Sequence, residues 1–126
     1  PMINFENKEY LKLSPVDNSE FSDMIGGMLI GGENIIQTFK SGRDGLVFTN
    51  KRLIAINIQG LTGKKKAFTI LPYDRIQAFE IQTPAVFDLD SELTLWFSGM
   101  GQTRFEFSTK ANVTAICKSI SECTLD

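Results

Sequence analysis

Apolar positions follow a helical period only near the two ends of the chain, and a period of two governs everything between. From Asp17 onward, Phe21, Met24, Ile25, Met28 and Leu29 fall at i, i+3, i+4, i+7 and i+8, which predicts an amphipathic helix. Asp17 or Ser19 is placed to cap it, and the second of two glycine pairs, Gly31–Gly32, to end it. Residues 2–15 carry only scattered apolar positions, and Pro15 punctuates them. After Glu33 the pattern predicts strands at 34–40, 45–49, 52–58, 66–73, 76–83, 92–98 and 103–109, divided by short polar turns. A last amphipathic helix is predicted between Asn112 and Thr124, with Val113, Ile116, Cys117 and Ile120 on one stripe and Lys118 and Glu122 at i, i+4.

Seven successive strands with short connections are expected to pair antiparallel. Such a sheet covers its apolar face by curling on itself, and a terminal helix can plug the open end. The predicted fold is mainly β: a seven-stranded antiparallel curved barrel with a C-terminal α-helix and an additional N-terminal helix. It reads as a single domain over 1–126, with an N-terminal helical segment at 1–32 and the barrel with its capping helix at 33–126.

Composition narrows the chemistry. At 126 residues the chain can bury about two-thirds of its unfolded surface, so a packed core is expected without staples. The net charge of −2 argues against nucleic acid as a partner. The chain has no histidine, which removes the commonest general base and metal ligand. Gly26 and Gly31 mimic the start of a phosphate loop, but Gly32–Glu33 stands where lysine and a hydroxyl residue are required. "DLDSE" (88–92) reads as a polar turn opening a strand and not as a calcium loop. No catalytic residue, metal ligand or cofactor is expected.

No run approaches the ~20 apolar residues of a membrane span, and the start lacks the basic-then-apolar layout of a signal peptide. Cys117 and Cys123 lie ~9 Å apart along a helix and on different faces, so both thiols are expected free. Cys117 is expected to pack as a small buried apolar residue. A cytoplasmic location follows from these readings.

"QGLTGKKKAFTILPY" (59–73) sets three lysines between a glycine turn and an apolar strand. The stretch "SGRDGLVFTNKRLIAINIQGLTGKKKAFTILPYDRI" together with "FDLDSELTLWFSG" resembles the bacterial pleckstrin-homology domain family, over about residues 30–125. "FTNKRL", the "QG..GKKK" loop and "FDLDSEL" carry the likeness. The resemblance implies a curved seven-stranded barrel capped by the C-terminal helix, no enzymatic activity, and assembly into closed homo-oligomeric rings. It also implies that segments 40–44, 60–66 and 99–102 gather at the open end, so that Lys40, Arg43, Lys64, Lys65 and Lys66 share one rim. Animal relatives bind phosphoinositides there through basic residues along the first two strands. In this chain Asp44 and Gly45 follow Lys40 and Arg43, so that signature is incomplete.

Five rim cations give at most ~5 kcal/mol toward an anionic leaflet, a dissociation constant near ~0.2 mM. The loop reading of the lysines is therefore preferred to the lipid reading. Val86, Phe87 and Leu89 are apolar residues in a predicted connection after Pro84; they either tuck under the sheet or meet another subunit, and on the second reading they are the candidate oligomer interface. The function expected is a self-assembling binding or scaffolding module with a protein partner. The rival is weak contact with an anionic membrane or a phosphorylated headgroup through the lysine rim.

Overall fold

A computed structural model of the protein describes residues 12–83, 91–99, 101–108 and 111–125. All seven predicted strands are present: β2 (Ile35–Ser41), β3 (Asp44–Thr49), β4 (Arg52–Gln59), β5 (Lys65–Pro72), β6 (Ile76–Gln82), β7 (Ser91–Phe97) and β8 (Gly101–Phe107). An eighth, β1 (Ser14–Val16), precedes them and pairs with β2, Pro15 opposite Phe39. Three residues centred on proline carry no alternation, so the sequence pattern does not predict it. Proline lacks a ladder donor and suits an edge strand such as this one.

The strands form two antiparallel sheets, ordered β1-β2-β3-β4-β5 and β6-β7-β8. Leu13 joins them: its N–H donates to the Glu106 carbonyl and its own carbonyl accepts from the Ser108 N–H, each at 2.9 Å. The strands thus run in one circuit from β5 through β1 and Leu13 to β8 and β6. Its ends are β5 and β6, joined in sequence by the short 3-10 turn Tyr73–Arg75. Inside the circuit Phe39, Leu46, Phe48, Leu53, Leu71, Leu93, Leu95, Phe105 and Phe107 make the main core. Phe39 meets Phe48 and Phe107 edge-to-face, with ring centres 5.6 and 4.9 Å apart.

A second core lies on the outer face of the larger sheet. Val47, Ile54, Ile56 and Ile58 pack there against Phe21 and Ile25, with Met24, Met28 and Leu29 alongside. Covered on both sides, β3 buries every residue from Asp44 to Thr49. Each such side chain removed from water contributes roughly 1.5–3 kcal/mol, so residues 21–29 form a structural layer over the sheet. Gly45 is required where that layer meets the sheet, since a Cβ there would lie 2.3 Å from the Phe21 ring.

The N-terminal helix is shorter than predicted. Helix α1 spans Ser22–Ile25 and gives way to a 3-10 turn over Gly26–Met28, so the first glycine pair ends it and not the second. Phe21 occupies the N-cap position without a side-chain cap bond. The Asp17 carboxylate instead accepts from the Ser19 N–H and hydroxyl, at 2.9 and 2.7 Å, closing a local turn. Helix α2 (Val113–Thr124) matches its prediction and is capped by Asn112, whose side chain accepts from the Ala115 N–H at 3.1 Å. Ile116 and Ile120 are its buried residues, while Cys117 is half-buried and not the core residue expected. Both cysteines are free.

Candidate functional site

The lysine end of the larger sheet is built from two turns. Gly42, at φ 61°, lets β2 reverse into β3, and Gly60 and Gly63, at φ 79° and 69°, shape the loop between β4 and β5. Arg43 ties the two together, its Nη1 donating to the Gly60 carbonyl at 2.7 Å. Lys40 reaches back to the N-terminal layer and pairs with Glu20 at 2.7 Å. Two of the five predicted rim cations are therefore engaged within the chain. Lys64, Lys65 and Lys66 are exposed. Lys65 stands opposite Gln59 and Lys66 opposite Ile58, so alternation along β5 sends these two side chains to different faces of the sheet. Beneath them Asp44 is fully buried, its Oδ1 accepting from the Ile58 N–H at 2.7 Å and from Asn57 at 3.3 Å. The third predicted rim segment, 99–102, spans residue 100, which lies outside the described residues, as do Val86, Phe87 and Leu89.

The opposite end of the same sheet holds a denser polar cluster. Glu33, its side chain wholly covered, receives Arg52 through Nε and Nη2, both at 2.9 Å. It also accepts from the Thr49 hydroxyl at 2.6 Å and from the Ile30 N–H at 3.1 Å. Arg52 donates from Nη2 to the Met28 carbonyl as well, at 2.7 Å. Asn50 adds two bonds across the same gap, one to the Gly32 carbonyl and one from the Asn34 N–H. Burial opposes ionisation of Glu33, but the bonds from Arg52, Thr49 and Ile30 outweigh it and hold the carboxyl below its ordinary range.

"FTNKRL" thus acts as a clasp that fastens residues 28–34 onto the barrel. In the sequence that stretch marks the resemblance and gives no sign of the clasp. Glu33 lies 16 to 19 positions from Thr49 and Arg52, a separation that no local pattern reports.

Beside the clasp lies a cleft of about 400 Å³, bordered by β4, the end of β5, the turn after it and the end of α2. Tyr73, only 1% exposed, lies in its floor, and its covered hydroxyl has no hydrogen-bond partner among the described residues. Burial first, then Cys123 and Glu33, push that phenol up from its ordinary value. Ile30 and Ile70 line the cleft and are 59% and 36% exposed. Strand β5, which enters the cleft at its C-terminal end, has no neighbour on its outer side among the described residues. No group of acidic, cysteine or histidine side chains able to hold a metal occurs among them either. No described helix is long and apolar enough to cross a membrane.

Comparison with known proteins agrees with this architecture. The family described as "Bacterial PH domain" matches residues 4–124. An uncharacterized Bacillus subtilis protein, YjqA, is 43% identical over 86 residues, covering 68% of this chain and 69% of its own. A solved pleckstrin-homology-domain protein from Shewanella loihica superposes with a TM-score of 0.80 at 36% identity, over 91% of this chain and 99% of that one. A pleckstrin homology domain from Shewanella amazonensis does so at 0.68 and 37% identity, over 88% and 90%.

Proposed function

The chain belongs to the bacterial PH domain family, and from that premise we propose that it works as a non-enzymatic scaffold that self-assembles into a closed homo-oligomer and holds a protein partner. One observation carries this reading. The strand circuit stays open only at β5 and β6 among the described residues, and β5 offers eight residues of unneighboured edge. On the outer face of that strand Phe68 is half-buried and Ile70 is 36% exposed. A strand edge beside apolar side chains is what strand addition uses: main-chain bonds supply affinity and alternate side chains specificity. A ring needs two different surfaces meeting head to tail. The sequence keeps Val86, Phe87 and Leu89 as candidates for the second one.

Sedimentation of the purified protein tests this directly. The wild type is expected to run as an oligomer, and Ile70→Lys, which sets a charge on the edge, as a monomer. A wild type that stays monomeric across concentration removes assembly from the reading.

The second reading, weak contact of the lysine rim with an anionic surface, is supported by the exposure of Lys64, Lys65 and Lys66. It is weakened by the commitment of Lys40 to Glu20 and of Arg43 to Gly60. Co-sedimentation with anionic liposomes that fades with salt and is lost in Lys64/Lys65/Lys66→Ala would replace the protein-partner reading by this one.

A further inference from the structure

We propose that the open edge of β5 takes an extended acidic segment of the partner protein, laid antiparallel along the strand, with alternate apolar residues beside Phe68 and Ile70 and successive carboxylates opposite Lys66, Lys65 and Lys64. This rests on the reading of β5 as a docking edge and gives that edge a partner of defined chemistry.

The edge itself is suited to strand addition. Strand β5 pairs with β4 residue by residue, from Arg52 opposite Pro72 to Gln59 opposite Lys65, with no break in register. Natural edges are commonly blunted by bulges, prolines or shortness, and β5 has only a proline at its last position. The other open edge, β6, is interrupted by a register shift between Ile76 and Ala78. Among the described residues β5 is therefore the longer, unbroken template.

Charge selects an acidic occupant. Lys40, Arg52, Arg75, Arg104 and Lys118 each stand within 4.0 Å of a carboxylate. Asp44, beneath the lysine loop, is spent on Ile58 and Asn57. Lys64, Lys65 and Lys66 are exposed and have no acidic partner among the described residues. Three such cations in a row at one end of the edge repel the same end of another β5 and attract carboxylates.

Alternation selects a strand over a flat surface. Lys65 and Lys66 point to different faces of the sheet, so no single plane meets both. A strand beside β5 sends its own side chains to the same two faces in turn, and consecutive acidic residues then reach both lysines. Farther along, Phe68 and Ile70 share the outer face with Lys66, across from Ile56 and Ile54, while half-buried Ala67 and Thr69 share the other face with Lys65. Antiparallel order, which every pair in this sheet uses, dictates the pattern of the segment: alternating apolar and small polar residues that run into acidic ones at the C-terminal end.

Fluorescence anisotropy with the labelled peptide VTVTVTEEE, and hydrogen exchange of the β5 amides in its presence, test this on the purified full chain. Binding is expected, with slower exchange along residues 65–71, and Lys64/Lys65/Lys66→Ala should weaken it about tenfold. The peptide VTVTVTKKK should not bind. VTVPVPEEE keeps the charge but lacks two main-chain donors, and should give no exchange protection. Assembly is read separately, by sedimentation. A monomer that binds VTVTVTEEE removes assembly and keeps this inference, whereas an oligomer that does not bind it overturns this inference and keeps assembly. The inference also fails if VTVPVPEEE binds as well as VTVTVTEEE, if the β5 amides exchange at the unbound rate, or if the triple variant binds like the wild type. Tighter binding of PAVFDLDSE, residues 84–92 of this chain, would overturn it by giving the edge to a second copy. Pelleting with anionic liposomes in place of peptide binding would give the lysines to a membrane surface.

Discussion

The two ends of the five-stranded sheet are both basic, yet they hold their charges in opposite ways. At one end Lys64, Lys65 and Lys66 project into solvent, and Lys40 meets Glu20 with both side chains more than a third exposed. At the other, Arg52 and Glu33 meet with the carboxylate fully covered and further donors from Thr49 and Ile30. The first end dominates the sequence by its run of lysines, and the second dominates the structure. A charge in water is already solvated, so pairing it gains little. A charge taken out of water has to be matched by partners, and once matched it fixes the geometry around it.

That contrast predicts a graded response to mutation. Arg52→Ala leaves Glu33 covered and without its cation, and should destabilise the domain by about 3 kcal/mol, the lower end for a buried pair because Arg52 keeps some solvent contact. Urea denaturation measures it. A loss below about 1 kcal/mol would put the clasp on a par with a surface pair and erase the distinction between the two ends.

Acid should act on the same clasp. The folded pKa of Glu33 lies below its unfolded value, so its ion pair adds stability that is fully present above the ordinary 4.5 and is lost as the pH falls through the lowered folded value. Thermal melts between pH 7 and pH 3 should fall over that acidic window, and the fall should be shallower in Glu33→Gln. Equal slopes in the two proteins would show that other carboxylates set the acid response.

At the lysine end the expected effects are smallest. Lys40→Ala should cost no more than about 0.5 kcal/mol, and the loss should shrink in salt. Lys64/Lys65/Lys66→Ala should leave the melting temperature nearly unmoved. A marked drop in either would mean that this end, too, holds the N-terminal layer in place.

Much of the fold was legible because its period is local. Alternation along "ELTLWFS" and "TRFEFST" marks Leu93, Leu95, Phe97, Phe105 and Phe107 for the interior, and all five lie in the main core. The stripe of α2 and its Asn112 cap are equally local. The N-terminal apolar residues were visible, but not the sheet face that receives them: Val47, Ile54 and Ile56 look like ordinary strand positions until Phe21 and Ile25 are seen to cover them. The rim was legible as a list of cations only. Its engagement with Glu20 and the Gly60 carbonyl depends on side chains 17 to 20 residues apart.

By itself the sequence determined the order of the elements, the polarity of each strand and the absence of histidine chemistry, since these depend on residues a few positions apart or on composition. The tertiary structure alone decided that the sheet carries a core on each face and that, among the described residues, β5 is left as an edge and Tyr73 is buried with its hydroxyl unmet. Those features arise where distant segments meet. Burial, and with it the cost of an unpaired polar group or the strength of an ion pair, is a property of what packs above a residue and not of its neighbours in the chain.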